Sequence, residues 1–120
     1  MTSLETAKRI ASILDSKKGE EIIVCNVGTQ STLADYFVIA SGGSLPHVRA
    51  MCDEVEEKLS KEDGIEPQRI EGYQTAAWIL MDYGDVLVHL FQEDSRKFYR
   101  LERLWGDAPR VELPGRETGA

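Results

Sequence analysis

Cysteine and histidine are scarce, with two of each in 120 residues. Cys25 and Cys52 lie far apart and in no metal-ligand spacing, and with only His47 and His89 beside them the ligand supply argues against a transition-metal centre. Such cysteines read instead as buried free thiols of a reducing compartment. Basic residues are also outnumbered: 14 Lys and Arg stand against 21 Asp and Glu, a formal net charge of -7. Without a basic patch to release counterions there is no general grip on a phosphate backbone, so little direct nucleic-acid contact is expected. An acidic chain suits a basic partner, although the same charge also serves solubility alone. No apolar run approaches the length of a bilayer span, and the N-terminus has no long apolar signal-peptide core. No membrane contact and a cytoplasmic location are the expectation. Internal repeats and low-complexity tracts are absent.

What is present is centred on Trp78 to Phe91, WILMDYGDVLVHLF. Two apolar runs flank Gly84-Asp85, and Gly at the first loop position suits a two-residue hairpin turn that needs positive φ there. That loop pairs Tyr83 with Val86, Asp82 with Leu87, Met81 with Val88, Leu80 with His89, Ile79 with Leu90 and Trp78 with Phe91. Alternation across the pleat then gathers Ile79, Met81, Tyr83, Val86, Val88 and Leu90 on one face as core. The other face carries Trp78, Leu80, Asp82, Leu87, His89 and Phe91, with Asp82 and His89 diagonal neighbours within reach. This mixed face has the aromatic and aliphatic make-up of a protein interface, or else of a second core layer under a helix.

The rest of the chain supplies a scaffold. Thr2 and Glu5 have capping-box spacing, and Leu4, Ala7, Ile10, Ala11 and Leu14 predict a helix over about residues 3 to 18. EIIVCNV (Glu21 to Val27) and YFVIAS (Tyr36 to Ser41) read as buried strands separated by the turn-rich Gly28 to Thr32. Ser44 caps a second helix with Pro46 in its first turn, whose stripe of Val48, Met51, Cys52, Val55 and Leu59 ends at Gly64. Its positions Asp53, Glu54, Glu56, Glu57 and Lys58 read as a solvated face. An irregular strand is predicted between Ile65 and Gly72. After the hairpin, Asp94 or Ser95 caps a third helix with Phe98, Leu101, Leu104 and Trp105 as its stripe, Arg96, Lys97, Arg100 and Arg103 as its basic positions, and Gly106 as its stop. The order α-β-β-α-β-β-β-α predicts an α/β fold with a mixed four- to five-stranded sheet and packed helices. One domain over 1–108 and a flexible tail over 109–120 are expected.

No catalytic set emerges. Ser41-Gly42-Gly43-Ser44 is a Gly-rich strand-to-helix turn but lacks the Lys of a phosphate loop and the full dinucleotide fingerprint. As a nucleotidyl-transfer site it would need neighbouring carboxylates for Mg²⁺, and the later strands offer only Glu71 and Asp82. His89 oriented by Asp82 has no serine or cysteine placed beside it, so a hydrogen-bonded structural histidine is the simpler reading.

Five ordered blocks, DYFVIASG (Asp35 to Gly42), HVRAMCDEVEEKL (His47 to Leu59), EGY (Glu71 to Tyr73), WILMDYGDVLVHLF and FYRLERLWGDA (Phe98 to Ala108), resemble the ribosomal silencing factor family, also called Iojap-like. The likeness runs from about Leu4 to Leu113. It implies a nucleotidyltransferase-like fold without transferase activity, cofactor or metal. It further implies a translational repressor that binds protein fourteen (uL-type) of the large ribosomal subunit and sterically blocks joining of the small subunit, lowering translation in nutrient limitation, with a homodimer as a further expectation. Carried onto the hairpin, it marks Trp78, Leu80, Asp82, Tyr83 and Asp85 as the partner surface: Trp78 and Leu80 for apolar contact, Asp82 and Asp85 for Lys or Arg of the partner, and Tyr83 through a hydroxyl at the rim. Glu71, His89 and Phe91 are secondary candidates. The alternatives are a Mg²⁺-dependent nucleotidyltransferase-like enzyme using Gly43, Ser44 and Glu71, and a homodimeric adaptor independent of the ribosome.

Overall fold

The computed structural model describes residues 2–28, 34–99, 109–111 and 113. Its elements run α1 (Ser3–Ser16), β1 (Glu20–Asn26), β2 (Tyr36–Gly42), α2 (Leu45–Lys58) with a widened last turn (Leu59–Asp63), β3 (Arg69–Glu71), β4 (Trp78–Asp82), β5 (Val86–Gln92) and α3 (Glu93–Tyr99). The strands form one mixed five-stranded sheet in the order β1-β2-β5-β4-β3. The α/β class and the element order are as the sequence predicts.

Local chemistry sets most boundaries. The Thr2 hydroxyl accepts from the Glu5 backbone N–H at 3.1 Å, and the Glu5 carboxylate accepts from the Thr2 N–H at 2.9 Å, closing the capping box that starts α1. The Ser44 hydroxyl accepts from the His47 N–H at 3.2 Å and starts α2, and Gly64, at φ 68°, supplies the left-handed stop. Helix α3 begins at Glu93, two or three residues earlier than a cap at Asp94 or Ser95 predicts, because the Gln92 side chain takes the Asp94 N–H at 3.1 Å and occupies the capping position instead. The stripe and stop expected at Phe98, Leu101, Leu104, Trp105 and Gly106 fall outside the described side chains.

The hairpin register is the predicted one: Trp78 pairs with Phe91, Leu80 with His89 and Asp82 with Leu87, and Gly84 takes φ 86° at the turn. What the sequence does not announce is that β5 sits between β4 and β2, parallel to β2, with Leu87 beside Phe37 and His89 beside Ile39. Helices α1 and α2 cover one face, where Ile10, Leu14, Val48, Met51 and Val55 pack on Ile79, Met81, Val88 and Leu90. Burying aliphatic side chains of this size gives about 1.5–3 kcal/mol each, so this layer is the main source of stability. The opposite face holds a smaller cluster of Cys25, Val27, Ala34, Phe37, Ile39 and Phe91, with Ile23, Trp78 and Leu87 at its margin.

Two expectations change here. The tail was expected to be loose from residue 109, yet its first residues line the outer edge of β1: the Asn26 N–H donates to the Pro109 carbonyl and the Val111 N–H to the Val24 carbonyl, both at 2.8 Å. An open edge strand exposes a row of backbone donors and acceptors, and Val111 and Leu113, spaced by two, bring apolar groups to the main core. Arg96, one of the basic positions of the third helix and outside its apolar stripe, is nevertheless 3% exposed and donates to the Glu21 carbonyl at 2.6 Å and the Ser41 hydroxyl at 2.9 Å. It holds the irregular start of β1, where Glu21 adopts φ 48°.

Candidate functional site

The register of β3, β4 and β5 decides which candidates meet. Glu71 lies opposite Leu80 and Arg69 opposite Asp82, so the short edge strand β3 extends the Trp78-Leu80-Asp82 face away from the helices. There Glu71, Gly72, Trp78 and Leu80 line an open groove of about 260 Å³. Trp78 and Leu80 are half-buried and Glu71 is exposed, so apolar surface and a carboxylate share one wall.

Beneath the groove lies an aromatic layer. The Trp78 indole stacks on Phe91 at 5.1 Å between ring centroids, and its Nε1–H donates to His89 Nδ1 at 3.1 Å. Phe37 packs on the other side of the imidazole at 4.8 Å. With Nδ1 accepting, the neutral ring carries its proton on Nε2, which has no hydrogen-bond partner among the described residues. Burial pushes the His89 pKa down to about 4, so the ring is neutral at pH 7. His89 is 5% exposed and Phe91 is fully buried, so both support the surface rather than form it.

Asp82 does not orient His89. Its Oδ1 accepts from the Gly84 N–H at 2.8 Å and its Oδ2 lies 3.4 Å from Arg69 Nε. Of the two residues diagonal to His89, Trp78 reaches it, while Asp82 is taken by a donor only two residues along the chain, whose capture costs little loop entropy. Asp82 is therefore a turn-forming residue whose carboxylate is already engaged. Tyr83 faces the helices, as alternation requires, and packs against the main core. Its hydroxyl is buried without a hydrogen-bond partner among the described residues, and burial raises its pKa, so it does not reach the rim. Asp85 is exposed at the hairpin tip, where its carbonyl accepts the Asp35 N–H at 2.8 Å.

How the groove wall is built is not legible in the sequence. Gly72, at φ 80°, passes so close to β4 that a Cβ on it would lie 2.2 Å from the Trp78 carbonyl oxygen. After it the chain folds back, with the Ala76 N–H donating to the Gly72 carbonyl at 2.9 Å. From the helix side, Arg49 of α2 donates to the Tyr73 and Gln74 carbonyls, and the Tyr73 hydroxyl donates to the Asp53 carboxylate at 3.0 Å. Arg49 and Asp53 are four apart and so share one helix face, the only sequence signal that they act together.

At the Gly-rich turn, the Gly43 N–H donates to His47 Nδ1 at 3.2 Å, and His47 Nε2 donates to the Lys17 carbonyl at 2.8 Å. With the Ser44 hydroxyl capping α2, the Gly43 N–H and the Ser44 side chain both have partners within the chain. Among the described residues no three His, Cys, Asp or Glu side chains gather closely enough to hold a metal ion. Cys25 and Cys52 are both buried and neither is in a disulfide, and burial pushes the Cys52 pKa up to about 12. Among the described residues no helix is long and apolar enough to cross a membrane.

Residues 1–120 match a family model described as "Ribosomal silencing factor during starvation". The chain is 44% identical over 115 residues to the ribosomal silencing factor RsfS of Halalkalibacterium halodurans, covering 96% of this chain and 97% of that protein. It is 40% identical over 113 residues to RsfS of Bacillus subtilis, covering 94% and 95%. The chloroplastic protein Iojap of Arabidopsis thaliana is 30% identical over 118 residues, 93% of this chain and 46% of that protein. A crystal structure of a Chromobacterium violaceum protein, 30% identical, superposes with a TM-score of 0.85 over 99% of this chain and 98% of that one. One from Bacillus halodurans, 42% identical, gives 0.74 over 88% and 95%. The chain belongs to the ribosomal silencing factor family.

Proposed function

We propose that this protein is a translational repressor that acts by binding rather than by catalysis. It docks on the large ribosomal subunit, through protein fourteen (uL-type), and sterically blocks joining of the small subunit when nutrients are limiting. The observation that carries this reading is the open groove in which Glu71, Trp78 and Leu80 meet. A half-buried Trp is the kind of side chain that dominates binding energy, and an apolar neighbour such as Leu80 helps to exclude water around it. The exposed carboxylates of Glu71 and Asp85, on a chain of net charge -7, favour a basic protein surface. Trp78 and Leu80 supply apolar contact. Glu71 and Asp85 meet Lys or Arg, and Asp82 contributes what charge its turn leaves free. Tyr83, His89 and Phe91 act from beneath, by holding the hairpin in shape. A homodimer through other surfaces is compatible with this use of the face.

Binding of the protein to purified large subunits, read by sedimentation, tests the proposal. Leu80→Arg places a cation on the groove while leaving the Trp78-His89 layer in place, and is expected to abolish co-sedimentation without loss of cooperative unfolding. Unchanged binding by this variant contradicts the assigned surface.

A further inference from the structure

We propose that Arg49, Asp53 and Tyr73 form a clamp whose role is to set the position of the groove wall, making them positioning residues for docking; this rests on the docking reading above. The clamp reaches the groove from the opposite side of the molecule. Helix α2 packs against the core face of the sheet, whereas Trp78 and Leu80 lie on the other face. The segment after β3 crosses the sheet edge between them, and it is there that α2 holds it. Arg49 Nε donates to the Tyr73 carbonyl at 3.1 Å and its Nη2 to the Gln74 carbonyl. The Tyr73 hydroxyl lies 3.0 Å from both Asp53 carboxylate oxygens. That hydrogen bond holds the Tyr73 phenol above its ordinary pKa.

These bonds grip an element with few other anchors. Tyr73, Gln74 and Thr75 are exposed, and Ala76, held at φ 59°, is the buried residue that ends the segment. Gly72 stands immediately before the gripped residues, lines the groove and abuts the Trp78 carbonyl. A shift of Tyr73 and Gln74 therefore moves the Glu71-Gly72 wall against Trp78 and Leu80. The guanidinium fork, with two donors fixed in one plane, sets a position in a way that a single flexible ammonium does not. Because docking needs the wall in place, loosening it lowers apparent affinity by the fraction of molecules with the wall correctly placed.

The test uses the full chain with Arg49→Met combined with Tyr73→Phe, which removes the clamp's polar atoms and keeps most of its bulk. In the free protein, the indole N–H resonance of Trp78, told from that of Trp105 by a Trp78→Phe control, and the Gly72 amide are expected to shift and to exchange faster. Affinity for purified large subunits is expected to fall on the order of tenfold, with the melting transition still cooperative. Arg49→Lys alone is expected to fall between parent and double variant. Unchanged Trp78 and Gly72 signals overturn the inference, and so does full affinity in the double variant when Leu80→Arg abolishes binding. If Leu80→Arg itself binds like the parent, the docking reading has failed and takes the clamp's role with it.

Discussion

Replacing Asp82 by Ala removes two interactions of different worth. The bond from the Gly84 N–H to Oδ1, at 2.8 Å and partly buried, is charge-assisted and fixes the hairpin turn; losing it costs about 2 kcal/mol. The contact with Arg69 is longer, at 3.4 Å, and the Arg69 side chain is 65% exposed, so it contributes roughly 0.5 kcal/mol or less. Asp82→Ala is therefore expected to lower the melting temperature by about 8 °C, at roughly 4 °C per kcal/mol for a chain of this size. Asp82→Asn keeps an oxygen for Gly84 and loses only the charge, so a fall of about 2–4 °C is expected. Thermal unfolding followed by circular dichroism compares the two. Equal losses in both variants would refute the turn role and assign the energy to charge. The same pair separates fold from docking: reduced affinity of the nearly stable Asn variant for large subunits reports a carboxylate that also meets the partner.

His89 should make stability depend on acid. Its folded pKa of about 4 lies below the ordinary 6.5, so between these values the unfolded chain binds more protons and stability falls as pH drops. A loss on the order of 3 kcal/mol between pH 7 and pH 4 is expected from this group. In His89→Gln, where the side-chain carbonyl can accept from Trp78, urea melts should show a shallower pH slope above pH 4.5; an unchanged slope contradicts the burial argument. Gly72→Ala meets the Trp78 carbonyl and forces a positive φ on a residue with a Cβ, so a loss of at least about 2 kcal/mol is expected, read by urea unfolding. A variant as stable as the parent would show that the wall can move aside.

The hairpin was legible because its constraints are local. Gly84-Asp85 leaves a two-residue loop, the loop fixes the register, and the register fixes which side chain faces where. Capping by Thr2 and Ser44 was legible for the same reason. The insertion of β5 between β2 and β4 was not, since strand order depends on contacts between segments far apart in sequence. Asp82 illustrates competition that pattern alone does not resolve: as a diagonal neighbour it could reach His89, but the Gly84 N–H is nearer along the chain and needs an acceptor. Arg96 shows the converse, a charge that looks solvated on a helix wheel yet is drawn inside by the carbonyl groups at the irregular start of β1. The groove was half legible. Trp78 and Leu80 follow from alternation, but the wall opposite them depends on Gly72, and on Arg49 and Asp53 of a helix that the sequence separates from it by some twenty residues.

The most direct test of the account is sedimentation of purified large and small subunits with parent protein and with Leu80→Arg. The parent is expected to travel with the large subunit and to lower the yield of joined ribosomes, while the variant, folded by its melting curve, stays at the top of the gradient and leaves joining intact. Parent protein that remains at the top while subunits join undiminished would contradict the account, and a Leu80→Arg variant that still blocks joining would show that the groove is not the docking surface.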